Sequence, residues 1–298
     1  TQGTHYAPRF AVEENTWPMV AANPQRTSWS PEEVRGNLNP VWYRPIEPFV
    51  SPKIQVVAAY GLLYLSTARG LYALSASDGS IVWVYPTELP LGHSPTVLDG
   101  VVYVGGYDRR IHAFEANPNP ALLGVDPGTG YRINDRVLWT FDQADAGFET
   151  NPLVVDGRLY AGNRDGYMYA LDAHSGSLVW KFKTDGPILF SAAIMAGVLY
   201  FASNDAHAYA VQSQNGMLVW KSARLPGAGF HSWWPVIYRD WVILTGGHNY
   251  LIDANLSLPD AIKFDEQELR DVFTKQGVPA GAYVGPTGSA PGDWATGT

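Results

Sequence analysis

The 298 residues contain no cysteine, so the fold uses no disulfide, no thiolate metal site, no c-type haem attachment and no thiol nucleophile. Charge is sparse too: Asp, Glu, Lys and Arg make up 16% of the chain, below the roughly 25% of an average globular domain. The balance is acidic, with net charge −8 and pI ≈ 5.3, and no window alternates Lys or Arg with aromatic residues, which argues against nucleic acid as a partner. No uninterrupted apolar run approaches the roughly 18 residues of a membrane span, so any tether would lie outside these residues. Gly-rich phosphate loops and nucleophile elbows are missing as well. The opening stretch, Thr1 to Arg9, lacks Met, a basic start and an apolar core, and reads as the beginning of a processed or trimmed chain rather than an intact signal peptide.

What the chain does have is a recurring pattern: Gly-x-x-Tyr, a turn, an apolar-Tyr-Ala-apolar stretch, a second Gly turn and then Trp. The clearest copy is Gly157-Arg-Leu-Tyr160, Asp165-Gly166, Met168-Tyr-Ala-Leu171, Ser175-Gly176 and Ser177-Leu-Val-Trp180. Gly61 to Trp83 and Gly197 to Trp220 repeat the order. In a fourth copy, Gly100-Val-Val-Tyr103 and Ile111-His-Ala-Phe114 reach Trp139 only after an extra stretch, 117–134, rich in Pro, Asn and Gly. A fifth starts at Asp240-Trp-Val-Ile243 and Asn249-Tyr-Leu-Ile252 and fades without a Trp. Trp42, Trp83, Trp139, Trp180 and Trp220 are thereby aligned, in steps of 41, 56, 41 and 40 residues, a period in the range of propeller blades.

Within each unit, runs of four to six β-branched, aromatic and Leu residues are separated by two-residue turns such as Asp99-Gly100 and Asp156-Gly157, which predicts four short antiparallel strands. One such sheet cannot bury both faces alone, so the units must stack around an axis, with the repeated Trp, Tyr and Ala filling the gaps. The expected fold is all-β: a β-propeller with about four complete blades and a partial fifth over 53–254. Residues 1–50 form an N-terminal extension in which Val41-Trp42-Tyr43 has the character of an outer blade strand, near 41–44, whose three companions come from elsewhere. Residues 255–298 hold a short amphipathic stretch, Asp265 to Lys275, then Gly, Pro, Ala and Thr, and read as an insertion or linker. The chain is therefore expected to be one portion of a larger propeller.

The segment Ala170-Leu-Asp172-Ala-His-Ser-Gly176-Ser-Leu-Val-Trp180 resembles the blade motif of the pyrroloquinoline-quinone (PQQ) family, Ala-x-Asp-x-x-Thr-Gly-x-x-x-Trp, with Ser175 in place of Thr. Ala73 to Trp83 and Ala210 to Trp220 keep the spacing and lose the Asp. The resemblance covers about two thirds of the chain. It implies either of two functions, because the family contains quinone- and Ca²⁺-dependent dehydrogenases of alcohols or sugars together with non-catalytic relatives such as the outer-membrane assembly lipoprotein. Adjacent cysteines carried by many alcohol-oxidising members have no counterpart here, and no Glu, Asn and Asp set matches a family site motif. The expectation is a non-catalytic interaction or scaffold module, periplasmic or extracellular, with no cofactor, whose partners are other protein subunits or further blades. A fragment of a PQQ-dependent dehydrogenase is the alternative.

Any ligand of a propeller sits near its axis. Aligning the inner hairpins brings Gln55, Ser94, Asn151, Ser191 and Trp234 to one equivalent place, with Ile54, His93, Thr150, Phe190 and Trp233 beside them. Alternation along a strand sends one of these rings to the axis and the other between blades. The polar ring, with His93, Trp233 and Trp234, suits a small polar ligand, although ordinary channel walls are also polar and wet. His93, His231 and His248 could converge on one face, but no two histidines have ligand-pair spacing, and His112 takes the slot of packing residues Tyr72 and Tyr169. Asp108, Asp165 and Asp205 share one hairpin position, where a turn role is expected. No residue is assigned to catalysis or to a metal. The inserted stretch 117–134 is expected to project beyond the hairpins as a contact surface, dispensable for folding.

Overall fold

The computed structural model describes residues 16–30, 36–46, 48–50, 54–225, 229–230, 233–239 and 241–245. It is built of antiparallel sheets arranged as successive propeller blades. The first blade runs β1 (Val57–Ala59), β2 (Leu62–Thr67), β3 (Gly70–Ser75) and β4 (Ile81–Pro86) from inside to outside. The second begins with β5 (Thr96–Leu98), β6 (Val101–Gly105) and β7 (Ile111–Glu115); after a 3-10 turn, β8 (Gly124–Val125) and β9 (Arg132–Ile133), it closes with β10 (Val137–Phe141). The third comprises β11 (Leu153–Val155), β12 (Arg158–Gly162), β13 (Tyr167–Asp172) and β14 (Leu178–Lys183). The fourth comprises β15 (Ala193–Met195), β16 (Val198–Ser203), β17 (His207–Gln212) and β18 (Leu218–Lys221), and the fifth shows β19 (Val236–Tyr238) and β20 (Trp241–Ile243). The remainder of the fifth unit and the stretch 255–298 lie outside the described residues.

The first hairpin of each of the first four blades turns on two residues of positive φ. Asp156 (φ 50°) and Gly157 (φ 70°) are typical, and the mirror-image turn they form matches the right-handed twist of the flanking strands. Further out, the pairing of third and fourth strands slips by one residue at the same place in four blades, next to Ala73, Ala113, Ala170 and Ala210. This bulge places Val82, Leu138, Val179 or Val219 out of register and aims the following Trp at the next blade.

The core consists of the layers between blades. Val57, Tyr64, Trp83, Val102 and Phe114 fill the first gap; Tyr103, Ile111, Phe148, Leu159 and Tyr169 the second; Leu153, Tyr160, Trp180, Leu199 and Phe201 the third. Trp139 and Trp180 lie against a glycine of the next blade: a Cβ on Gly176 would stand 2.4 Å from the Trp139 ring, and one on Gly216 2.8 Å from Trp180. Each indole Nε1 donates to a carbonyl beside that turn, Trp139 to Ala173 O (3.0 Å) and Trp180 to Ser213 O (2.9 Å). Tyr103 and Tyr160 send their hydroxyls to the same two oxygens. Trp42 repeats the device on the first blade, with Nε1 to Ala76 O at 3.0 Å and its ring on Gly79. That contact gives Trp42 the place of an outer-strand Trp of a preceding blade, although residues 41–46 belong to no β-ladder among the described residues, and Val41 and Tyr43 are exposed. Trp220 is 38% exposed; the matching turn of the fifth unit is outside the described residues.

The inserted stretch differs from its expectation. It leaves the blade between third and fourth strands, as the repeat requires, but it does not project. Its hairpin β8–β9 lies along the outer edge of the first blade, where β9 pairs in parallel with β4 (Val84 with Ile133), making a six-stranded sheet. Leu123 is buried in the same cluster as Trp83.

A candidate functional site at the propeller axis

At the aligned positions Gln55, Ser94, Asn151 and Ser191, polar atoms bond to neighbouring blades and to the N-terminal segment. Gln55 N donates to Ser94 Oγ (2.8 Å), Ser94 N to Asn151 Oδ1 (3.0 Å) and Asn151 N to Ser191 Oγ (2.9 Å), each step crossing from one blade to the next. Asn151 Nδ2 also donates to Ser191 Oγ, and Ser191 N continues the relay to Trp233 O at 2.8 Å. Ser94, Asn151 and Ser191 are fully buried, and each supplies the acceptor that a neighbouring backbone amide requires. The ring is a set of interblade latches.

Its neighbours divide. His93, Thr150 and Phe190 are buried, with Thr150 Oγ1 on Gly162 O and Phe190 edge-on to Phe230. Trp234 is half-buried, and Trp233, 49% exposed, tilts against it. His231 and His248 lie outside the described residues. Among the described residues no three His, Asp or Glu side chains are grouped to hold a metal.

Along the inner strands lies a segment that carries no repeat signal. Residues 17–25 run past the inner strands and take up their free amides: Ala58 N donates to Trp17 O, Val97 N to Pro18 O, Ile194 N to Pro24 O and Ile237 N to Gln25 O, at 2.7–3.0 Å. Ala21 N caps Gln55 Oε1 at 2.9 Å. To make this path, Ala21, Ala22, Arg26 and Ser28 all adopt positive φ of 53–69°, a conformation that side chains with a Cβ adopt only under constraint. Arg26 is the anchor. Its side chain has no solvent exposure, and Nε, Nη1 and Nη2 donate to Ala192 O, Val20 O and Asn151 O. Among the described residues no carboxylate pairs with it, and burial lowers its pKa to about 9, still charged at neutral pH.

Asp108, Asp165 and Asp205 do serve their turns, and do more. One oxygen of each accepts the amide two residues on, at Arg110, Tyr167 and His207. The other accepts from His112 Nε2 (2.8 Å), Tyr169 OH (2.7 Å) or Tyr209 OH. His112 thus stands in for a packing Tyr, with Tyr85 OH on its Nδ1.

Sequence reasoning passed over two features. The axial segment has no periodicity to betray it. The second had a visible signal: Asp126-Pro-Gly-Thr129-Gly130 is the Asp-x-x-Thr-Gly turn of the blade motif, inside the inserted stretch. Asp126 Oδ1 accepts from Gly128 N, Thr129 N and Thr129 Oγ1, as Asp172 Oδ1 does from His174 N, Ser175 N and Ser175 Oγ. These bonds hold both exposed carboxyls below the usual carboxylate range. The insertion has carried this turn away from Trp83.

With this geometry in hand, a family model described as outer membrane protein assembly factor BamB matches residues 25–118 and 124–253. The chain belongs to this family of PQQ-like propellers. Its relatives include BamB of Yersinia pestis, 32% identical over 42% of this chain and 32% of that protein. They also include the dehydrogenase subunit of the quinone-type alcohol dehydrogenase of Gluconacetobacter polyoxogenes, 30% identical over 50% of this chain and 22% of that one. The chain thus spans about a third or less of the length of these curated relatives. Among solved structures, the quinohemoprotein alcohol dehydrogenase of Comamonas testosteroni superposes with a TM-score of 0.61 at 15% identity, over 76% of this chain and 44% of the other. At that identity the likeness speaks for the propeller fold alone. Among the described residues no helix is long and apolar enough to cross a membrane.

Proposed function

We propose that this PQQ-like propeller is a non-catalytic scaffold that holds protein partners outside the cytoplasm. The observation that carries the reading is the covered set of inner strands. Residues 17–28 lie across the inner strands with Arg26 fully buried, and the ring at Gln55, Ser94, Asn151 and Ser191 turns its oxygens to neighbouring amides instead of to a ligand. These residues do not fit a planar quinone with Ca²⁺, which needs a slot between aromatic faces and free carboxylate or amide oxygens. Relatives named as outer membrane protein assembly factors support a role in assembly at the cell envelope. The exposed outer strands and turns then supply the contact surface on a rigid frame.

The test is a titration of the full chain with PQQ and Ca²⁺, read by quinone absorbance and by dye-linked oxidation of alcohols and sugars. The scaffold reading expects no saturable binding and no turnover. Stoichiometric quinone binding with turnover would establish the dehydrogenase reading instead.

A further inference from the structure

The middle residue of each innermost strand turns its amide to the axis, at Ala58, Val97, Val154, Ile194 and Ile237. Four of these amides donate to the axial segment. The fifth, Val154 N–H, has no hydrogen-bond partner among the described residues, although Val154 is only 2% exposed. The path of the segment explains the omission. It turns at 19–22, where Met19 O accepts Ala22 N, Val20 O accepts Arg26 Nη1, and Ala21 O accepts the amides of Asn23 and Ser28. The carbonyls that could have reached the third blade are used inside the turn.

Beside this turn, between the first three blades, opens a pocket of about 340 Å³. Met19, Ala22, Val97 and Val154 line it with apolar surface, and Asp99 and Asp156 stand among its lining residues at the strand turns. Both aspartates are exposed, and among the described residues neither carboxylate makes a hydrogen bond or ion pair and no Lys or Arg lines the pocket.

The geometry points to a docking site for an extended segment of a protein partner bearing a lysine or arginine side chain. A backbone carbonyl of that segment accepts the Val154 amide, as Trp17, Pro18, Pro24 and Gln25 do for the other four blades, and relieves a buried unmade bond. The alkyl stem lies over Met19 and Val97 while the cation reaches Asp99 and Asp156, which suits a side chain with an apolar shaft and a charged tip. A pocket near the lower limit for ligand sites holds one such side chain and a few backbone atoms. Because the two carboxylates are exposed, the attraction weakens with salt. This site rests on the scaffold reading and names the chemistry of the partner.

The experiment follows backbone amide resonances of the isotope-labelled full chain during titration with the capped tripeptide Gly-Lys-Gly, and with counterparts in which norleucine or glutamate replaces lysine. The lysine peptide is expected to shift the Val154 amide, and the norleucine and glutamate peptides to leave it in place. The Asp99→Asn/Asp156→Asn double variant, whose amides tolerate the same positive φ, should bind about tenfold more weakly while its remaining resonances stay unchanged. A Val154 amide that does not move with the lysine peptide, or moves equally with norleucine, overturns the site. A parallel titration with PQQ and Ca²⁺ separates the failures: quinone binding overturns the scaffold reading, whereas no quinone binding and no peptide shift overturn this pocket alone.

Discussion

The interface between the third and fourth blades and that between the first and second solve the same problem with different atoms. In the former, Trp180 rests on Gly216 and donates its indole N–H to Ser213 O. In the latter, the glycine turn has moved away on the inserted hairpin; nothing within 4 Å of a Cβ on Gly130 awaits a Trp. Trp83 is instead packed edge-on against Phe114 and enclosed in a cluster with Leu123, at zero exposure, and its Nε1 has no hydrogen-bond partner among the described residues. Only Tyr64 OH reaches the equivalent carbonyl, Ala116 O, at 3.2 Å. Burial has been gained and a hydrogen bond forgone. The docking glycine is thus one of two ways to seat the Trp, and a hydrophobic cover is the other.

The largest effect expected from this contrast is at Trp180. Its replacement by Ala should cost about 3–5 kcal/mol through lost ring burial and the cavity left, read as a lower denaturation midpoint; an unmoved midpoint would contradict the packing role. Removing 117–134 in favour of a short turn should cost on the order of 2–3 kcal/mol, mainly the burial of Leu123. This reverses the dispensability expected of a projecting loop, and a deletion variant as stable as the parent would restore that earlier view. Gly176→Ala should destabilise by about 1–3 kcal/mol because the new methyl strikes the Trp139 ring, whereas Gly130→Ala, at the same φ of 72°, should lose only about 1 kcal/mol from backbone strain. Equal losses would show that the ring contact counts for nothing. Smaller still, Trp180→Phe should exceed Trp83→Phe by about 1 kcal/mol, the worth of one indole hydrogen bond.

The pH dependence emerges only in alkali. Burial raises the Tyr103 and Tyr209 hydroxyls to about 12, and those of Tyr64 and Tyr169 higher still, helped at Tyr169 by Asp165. The folded chain then keeps protons that the unfolded chain releases near pH 10, so this stability is complete below pH 10 and is lost as pH rises toward 12. Arg26, lowered to about 9, acts in the opposite sense, adding stability as pH rises from about 9 toward the ordinary guanidinium value. Tyr85, Tyr107, Tyr160 and Tyr200 are raised by burial too, so eight tyrosines against one arginine give a net fall above pH 10. Thermal melts should show it, and Arg26→Met should fall more steeply because it lacks the opposing group.

The blades were legible because their rules are local: a two-residue turn, a period of two along each strand, and a Trp every forty or so residues. The turn role of Asp165 and the packing slot of Tyr169 could be read for that reason, whereas the hydrogen bond that joins them could not. Ser94, Asn151 and Ser191 could be aligned from the hairpins, but their interblade hydrogen bonds could not be read, because whether an oxygen faces solvent or a neighbouring amide depends on how adjacent blades are offset. The axial segment was illegible for a deeper reason. Its partners are backbone amides distributed from Ala58 to Ile237, and a backbone amide leaves no mark on the side-chain pattern. The displaced turn at Asp126–Gly130 fell between these cases, present as a motif but hidden by the break in spacing.

The axial segment also imposes an order on folding. It precedes the five described blades in the chain, yet its bonds to Pro24 O and Gln25 O come from Ile194 and Ile237, which are made about 170 to 210 residues later. Until then Trp17 to Ser28 must remain unplaced, with the Arg26 guanidinium in water, while the blades pair with their neighbours through contacts close in sequence. Such long loop closures are the slow events of folding, so this inner segment, although made ahead of the five described blades, sets after them.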